Sequence, residues 1–302
     1  MSEGQIKMMQ LEGTLIKGIG GFYYVEAADQ IYECKAKGIN RRKGIAPLAG
    51  DTVTITVNNE GYASLDHVHD RKNFLIRPPV ANVDKLFILA STCEPVPSTL
   101  VIDKMTALAQ DKGIECAIVF TKEDLKEIDE LVNIYRSSGF ETYSVSSKSG
   151  KGVDEIRDAV NGRICVFCGN SGVGKSTLLN ALIPSLELET GAISDKLGRG
   201  RHTTRQVELF KVGSGYIADT PGFAAIDMTG MDLLIRKENL PFCFKEFLPY
   251  LGTCKFSSCT HVADKGCKIC EAVESGEIMK SRHESYVSMY NDVKDIKDWE
   301  LR

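Results

Sequence analysis

Gly169-Asn170-Ser171-Gly172-Val173-Gly174-Lys175-Ser176 is the stretch on which the fold turns. It fits the pattern G-x-x-x-x-G-K-[ST], follows an apolar strand-like run from Arg163 to Cys168, and opens a segment with helical spacing. Glycines let the backbone curl until its N–H groups face a phosphate chain, and the helix N-terminus adds partial positive charge. On this reading Lys175 reaches the β and γ phosphates, Ser176 coordinates Mg²⁺, and Thr177 completes the nucleotide-contacting stretch.

Upstream of this loop, strands and helices alternate. Val83 to Ala90 reads as a buried strand, and Ser98 as the N-cap of a helix carrying Val101, Met105 and Leu108. A strand at Glu115 to Phe120, a helix over 123–137, a strand at Glu141 to Val145 and a helix at Val153 to Val160 follow. Such alternation implies crossover connections and a mostly parallel α/β sheet. Downstream, the run Tyr216-Ile217-Ala218 leads into Asp219-Thr220-Pro221-Gly222, where Asp219 is expected to serve the magnesium and Gly222 to swing toward a γ-phosphate.

The base is read from two further strand ends. Thr121-Lys122-Glu123-Asp124 fits [NT]-K-x-D, in which the aspartate accepts from guanine N1–H and N2–H₂ while the lysine stem lies along the base. Adenine has no such paired donors, so it would leave the aspartate unpaired. Ser146-Ser147-Lys148 resembles the S-A-K element that meets guanine O6. These signals favour GTP over the alternative of a P-loop ATPase or kinase. Their order is 4-5-1-2-3, with Asp124 and Ser147 preceding Lys175 and Asp219, which is a circular permutation of the usual arrangement. The switch after Asp219 therefore runs into the C-terminal tail, to which γ-phosphate-dependent movement can be transmitted.

The flanks differ in texture. From Gly13 to about Leu75 five short β-type runs alternate polar and apolar positions, as at Val53, Ile55 and Val57, and fit a small barrel of either the oligonucleotide-binding (OB) or the SH3-like type. Beyond Met231 the β signal stops. Phe244, Phe247, Leu248 and Leu251 form one helical stripe; Ile278, Tyr286, Met289, Tyr290 and Val293 form another. The expected division is a barrel over 1–80, a permuted GTPase domain over 81–232 and a helical zinc-binding domain over 233–302.

Composition limits the setting. A chain of 302 residues supports several domains. It has no apolar run near the roughly 20 residues that cross a bilayer. MSEGQIKMMQ lacks a secretory apolar core, so a cytoplasmic location is expected, with its ten cysteines reduced. The net charge of −4 argues against nucleic-acid binding over the whole surface. Residues 1 to 80 hold 10 Lys+Arg against 9 Asp+Glu, and Lys35, Lys37, Arg41, Arg42 and Lys43 form a basic stretch that suits phosphate contact or a solvated loop.

The tail holds Cys254-x₄-Cys259-x-His261-x₅-Cys267, three thiolates and an imidazole suited to a closed tetrahedral zinc site of structural type. Cys270 is a nearby thiol that can compete as a ligand. Cys165 and Cys168 form C-x-x-C, but lie on the strand feeding the phosphate loop and read as small apolar residues.

With these residues in place, the chain resembles the RsgA family (also YjeQ or YloQ), circularly permuted GTPases of small-ribosomal-subunit maturation. The resemblance covers the barrel, Arg77-Pro-Pro-Val-Ala-Asn-Val-Asp84, the permuted motifs, Gly200-Arg-His-Thr-Thr-Arg205, Asp219-Thr-Pro-Gly-Phe223 and the cysteine tail. It implies an OB-type barrel, one zinc ion on Cys254, Cys259, His261 and Cys267, and the small ribosomal subunit with its rRNA as partner. A monomer with no membrane association is expected.

Phe223 occupies the place where many GTPases carry a glutamine that orients water. The site is then inactive, slow until a partner completes it, or served by another residue. Thr204, with Thr203 as neighbouring alternative, is expected to sense Mg²⁺ and γ-phosphate, and His202 to orient or deprotonate water, a role the resemblance also implies. The competing role for His202 is an RNA-phosphate contact. Gly172 stands where potassium-using GTPases commonly have asparagine, so K⁺ is not expected as a ligand. The leading reading is a GTP-hydrolysing factor stimulated by the subunit. Its alternative is an RNA-binding module whose GTPase domain binds nucleotide and hydrolyses it weakly.

Overall fold

The computed structural model describes residues 8–36, 46–58, 62–125, 129–186, 207–219 and 235–296. They fall into two compact units, Met1–Asp84 with Val160–Val166 and Ser194–Phe223, and Lys85–Ala159 with Phe167–Ile193 and Ala224–Arg302.

In the first unit, β1 (Met9–Ile19), β2 (Phe22–Ala27), β3 (Gln30–Ala36), β4 (Thr52–Val57) and β5 (Ala63–Val68) close a barrel in the order β1-β2-β3-β5-β4. β3 and β5 run parallel, with Cys34 opposite Ala63, and the other pairs are antiparallel. The alternation read from the sequence is the cause: Val53, Ile55 and Val57 point inward, joining Leu15, Val25, Cys34 and Leu65 in the barrel core. Asp51, fully buried, accepts from Arg71 at 2.7 and 2.9 Å and from the Leu48 N–H at 2.7 Å, so its charge is paired on several sides.

The short ladder β6 (Phe74–Leu75) with β7 (Val80–Ala81) follows the barrel. This unit also holds the start of β11 (Ile164–Gly169), which runs parallel to β13 (Gly215–Asp219), while β12 (Glu208–Val212) is antiparallel to β13. The strand order here is β11-β13-β12. Asp84 grips the start of β11, accepting from the Ile164 N–H through Oδ2 at 2.8 Å. Lys17 of β1 pairs with Glu208 of β12 at 2.6 Å.

In the second unit, β8 (Lys85–Ser91), β9 (Glu115–Thr121) and β10 (Glu141–Val145) are parallel in the order β10-β9-β8. Every residue of β8 is buried, which explains its nearly uninterrupted apolar sequence. The crossovers are α1 (Thr99–Asp111), capped by Ser98, and α2 (Asp129–Ser137); α3 (Val153–Val160) leads toward β11 and α4 (Lys175–Leu182) follows it. The helix expected over 123–137 begins later within the described residues, because Lys122 turns left-handed at φ +60° and Glu123 to Leu125 form a turn.

The tail packs on α1. Ala107 joins Leu240, Phe244, Phe247, Ile278 and Tyr286 in one buried cluster. The first apolar stripe forms two 3-10 segments, Leu240–Cys243 and Lys245–Tyr250, instead of an α-helix. Pro249 lies inside the second and lacks the N–H an α-helix needs there. The threefold period carries Phe244 and Phe247 inward but leaves Leu248 44% exposed. α5 (Lys268–Ser275) and α6 (Lys280–Val293) complete the tail, and α6 buries Tyr286, Met289 and Val293 as its stripe foretold.

Arg282 of α6 belongs to no motif or apolar stripe of the sequence. It is fully buried, donating to Asp103 Oδ1 at 2.5 Å, Thr106 Oγ1 at 3.1 Å and Glu246 Oε1 at 2.6 Å, with the Phe244 ring centroid 4.8 Å away. Tyr135 donates to the same Asp103 oxygen at 3.0 Å. Among the described residues no helix is long and apolar enough to cross a membrane.

Candidate nucleotide and metal sites

The phosphate loop leaves β11 at Gly169 and enters α4 at Lys175. Gly172 and Gly174 sit at φ +79° and +91°, the left-handed region that a residue with a Cβ rarely adopts. Gly174 occupies the N-cap position and makes no side-chain cap, so the first-turn N–H groups of α4 face the loop rather than a capping oxygen. Asn170, Ser171, Gly172 and Thr177 are exposed and Gly174, Lys175 and Ser176 half-buried, whereas Val173 is buried and fixes the loop from below.

The strand end Thr121-Lys122-Glu123-Asp124, expected to read guanine, is tied to this loop. Thr121, 3% exposed at the end of β9, donates its hydroxyl to the Val173 carbonyl at 2.5 Å. The phosphate loop and the strand end carrying Lys122 and Asp124 are therefore one braced assembly. Asp124 is exposed and Lys122 half-buried. The second element is tied to the first: Glu123 donates its N–H to the Val145 carbonyl at 3.4 Å, and its carboxylate pairs with Lys151 at 2.6 Å. Ser146 is 1% exposed and bridges to Lys151, while Ser147 is half-buried and Lys148 exposed. Thus Thr121 and Ser146 face inward as supports, and Asp124 and Lys148 face solvent.

Two supports carried no motif. Thr92 donates to the Lys122 carbonyl at 2.7 Å, and the Lys122 ammonium donates to the Glu94 carbonyl. An apolar cleft lined by Pro95, Val96, Val101, Met105 and Val173 lies beside the phosphate loop.

β13 ends at Asp219, the residue expected to serve the magnesium. Its side chain lies outside the described residues, as do Gly222, Phe223, His202, Thr203, Thr204 and the basic residues Lys37, Arg41, Arg42 and Lys43. The Cys165 and Cys168 thiols are buried in the β11 core; burial pushes the Cys168 thiol far up, as expected of an inert core cysteine.

The metal cluster is assembled. One ligand atom from each of Cys254, Cys259, His261 and Cys267 lies within 4.8 Å of the others. His261 Nδ1 is 3.6 Å from both Cys254 Sγ and Cys267 Sγ, and those sulfurs are 4.0 Å apart. Tetrahedral zinc with Zn–S bonds of about 2.3 Å places sulfurs about 3.8 Å apart and a sulfur and nitrogen about 3.5 Å apart. The donor set therefore fits zinc in both chemistry and spacing. Backbone N–H groups of Lys268 and Cys270 donate to Cys254 and Cys267 sulfurs at 3.3 and 3.5 Å, and His283 donates to the His261 carbonyl at 2.7 Å. Burial holds the His261 imidazole below its ordinary value, in the neutral form a metal needs. Cys270 Sγ sits outside this quartet, 3.8 Å from the His261 and Val262 carbonyls.

The RsgA GTPase family model matches residues 68–229 and the RsgA N-terminal domain model residues 12–65. A small ribosomal subunit biogenesis GTPase RsgA of Geobacillus sp. (strain WCH70) is 40% identical over 292 residues, spanning 95% of this chain and 98% of the relative. Its namesake in Clostridium perfringens (strain SM101 / Type A) is 41% identical over 286 residues, spanning 94% and 98%. The crystal structure of YloQ, described as a circularly permuted GTPase, superposes with TM-score 0.80 at 33% identity, covering 96% of each chain. YjeQ from Thermotoga maritima gives TM-score 0.80 at 33% identity, covering 96% of this chain and 100% of the other. With the similarity running over nearly the whole length of both chains, the chain belongs to the RsgA family of circularly permuted GTPases.

Proposed function

We propose that this chain hydrolyses GTP as a late maturation factor of the small ribosomal subunit, acting as a cytoplasmic monomer that contacts the subunit's rRNA. The observation that carries the reading is the Thr121 to Val173 hydrogen bond, which makes the phosphate loop and the guanine strand end a single nucleotide cradle. The working division is an RNA-binding OB barrel over 1–80, the permuted GTPase domain over 81–232 and the zinc domain over 233–302.

Within the cradle, backbone N–H groups from Gly169 to Thr177 hold the phosphates and Lys175 neutralises the β and γ oxygens. Asp124 accepts the two guanine donors, Lys122 lies along the base, and Ser147 and Lys148 close over O6 from the turn that the buried Ser146 supports. Ser176, Thr204 and Asp219 would hold Mg²⁺, which offsets charge developing on the transferred phosphoryl group. Gly222 reports the γ-phosphate. His202 orients the attacking water or accepts its proton, since Phe223 cannot. The zinc site, with four protein ligands, keeps no position open for water and serves structure.

GTP turnover measured with and without purified small subunits tests this reading. Strong stimulation is expected. His202→Ala is expected to keep GTP binding and lose the stimulated rate. Absence of any stimulation supports the second reading, an RNA-binding module with weak hydrolysis, which Phe223 in the glutamine position favours.

A further inference from the structure

The turn after β8, Ser91 to Glu94, builds a third wall of the guanine site. Lys122 stands at φ +60°, a conformation that a residue with a Cβ keeps only where its surroundings hold it. Three contacts from this turn do so. The Thr92 N–H donates to the Thr121 carbonyl at 2.9 Å, and the Thr92 hydroxyl donates to the Lys122 carbonyl at 2.7 Å. The Glu94 carbonyl takes the Lys122 ammonium and also accepts the Ser91 hydroxyl at 2.9 Å. Lys122 is therefore gripped at its main chain and at the tip of its side chain. Ser91 and Thr92 are 1% and 2% exposed, so water cannot readily replace these bonds.

We propose that Thr92 is a positioning residue for guanine recognition: its hydroxyl sets the left-handed turn at Lys122 and thereby aims Asp124, two residues on. The proposal rests on the reading of Asp124 as the guanine acceptor. A carboxylate taking two donors from one base edge tolerates little displacement, and a contact to inosine, which lacks the 2-amino group, tolerates more. Loss of the Thr92 hydroxyl leaves the Lys122 carbonyl with only the Leu125 N–H of its own turn at 2.9 Å, and frees that turn from the buried Thr92, so guanine suffers more than hypoxanthine.

The test compares Thr92→Val, Thr92→Ala and Thr92→Ser in the full chain, with KM and kcat for GTP and for ITP measured in the presence of small subunits. Removing the hydroxyl is expected to raise the GTP KM about tenfold, to leave kcat within about twofold, and to shrink the preference for GTP over ITP by about threefold. Thr92→Ser, which keeps the donor, is expected to restore all three. Equal changes for GTP and ITP, no change at all, a serine variant as weak as valine, or loss of fold in both the valine and alanine chains would each overturn the proposal. Asp124→Asn separates this from the underlying reading. If that variant exchanges GTP for xanthosine triphosphate, the guanine assignment stands whatever Thr92 does; if GTP use survives unchanged, the assignment itself fails.

Discussion

Arg282 carries its weight through burial. Its guanidinium is fully enclosed with Asp103 at 0% and Glu246 near-buried, and the aromatic faces of Phe244, Phe140 and Tyr135 surround it within 5.9 Å. Burial pushes the Asp103 carboxyl up and the adjacent Arg282 charge pulls it down, so the acid's ionised state depends on that partner. Arg282→Met removes the cation and leaves two enclosed acids, a change expected to cost about 3–5 kcal/mol. Arg282→Lys keeps the charge but not the planar fork that serves Asp103 and Glu246 together, so it is expected to recover only part of that loss. Urea unfolding of the zinc-loaded chain measures both. A loss below about 1 kcal/mol for Arg282→Met would show the network to be replaceable. Nothing in the sequence pointed here: Asp103 and Arg282 lie 179 residues apart, and each looks like a solvated charge on its own helix. Thr92 was silent for the same reason, since a lone hydroxyl becomes informative only when the carbonyl it serves is known.

At the level of elements, legibility followed the directness of the chemistry. Strand alternation in the barrel, the glycine positions of the phosphate loop and the spacing of the four zinc donors each express a local rule, and each has its counterpart in the structure. The first tail stripe misled because Phe244 and Phe247 satisfy α and 3-10 periods alike, and Pro249 decided between them. The zinc-binding element also has a pH signature with a definite sign. Burial raises the Cys259 thiol to about 12 in the metal-free protein, so at neutral pH that thiol holds its proton until a metal displaces it. Zinc binding therefore releases protons, and affinity falls as pH falls. Lowering pH from about 8 to about 6 at fixed competing chelator is expected to weaken binding by at least tenfold, read from zinc transfer to a chromogenic chelator. A pH-independent transfer would contradict thiolate ligation.

Across the whole molecule, a net charge of −4 is compatible with the proposed rRNA contact only if that contact is local. Residues 81–235 hold 16 Lys+Arg against 21 Asp+Glu, so they carry the acidity, whereas Lys35, Lys37, Arg41, Arg42 and Lys43 follow one another with no acid between them. If those five side chains supply most of the phosphate contacts, the logarithm of the subunit association constant should fall against the logarithm of salt with a slope of about −4. Neutralising Arg41, Arg42 and Lys43 together, each to alanine, should reduce that slope by about 2 to 3 and weaken association at low salt. GTP affinity without subunits should not change, because none of these residues is among those assigned to the nucleotide. Light-scattering titrations of the GTP-analogue-loaded protein across a salt series measure both slopes. A slope unaltered by the triple substitution would remove this stretch from the interface and require the phosphate contacts to come from another basic surface, while preserved GTP affinity would show that the cradle had not been disturbed.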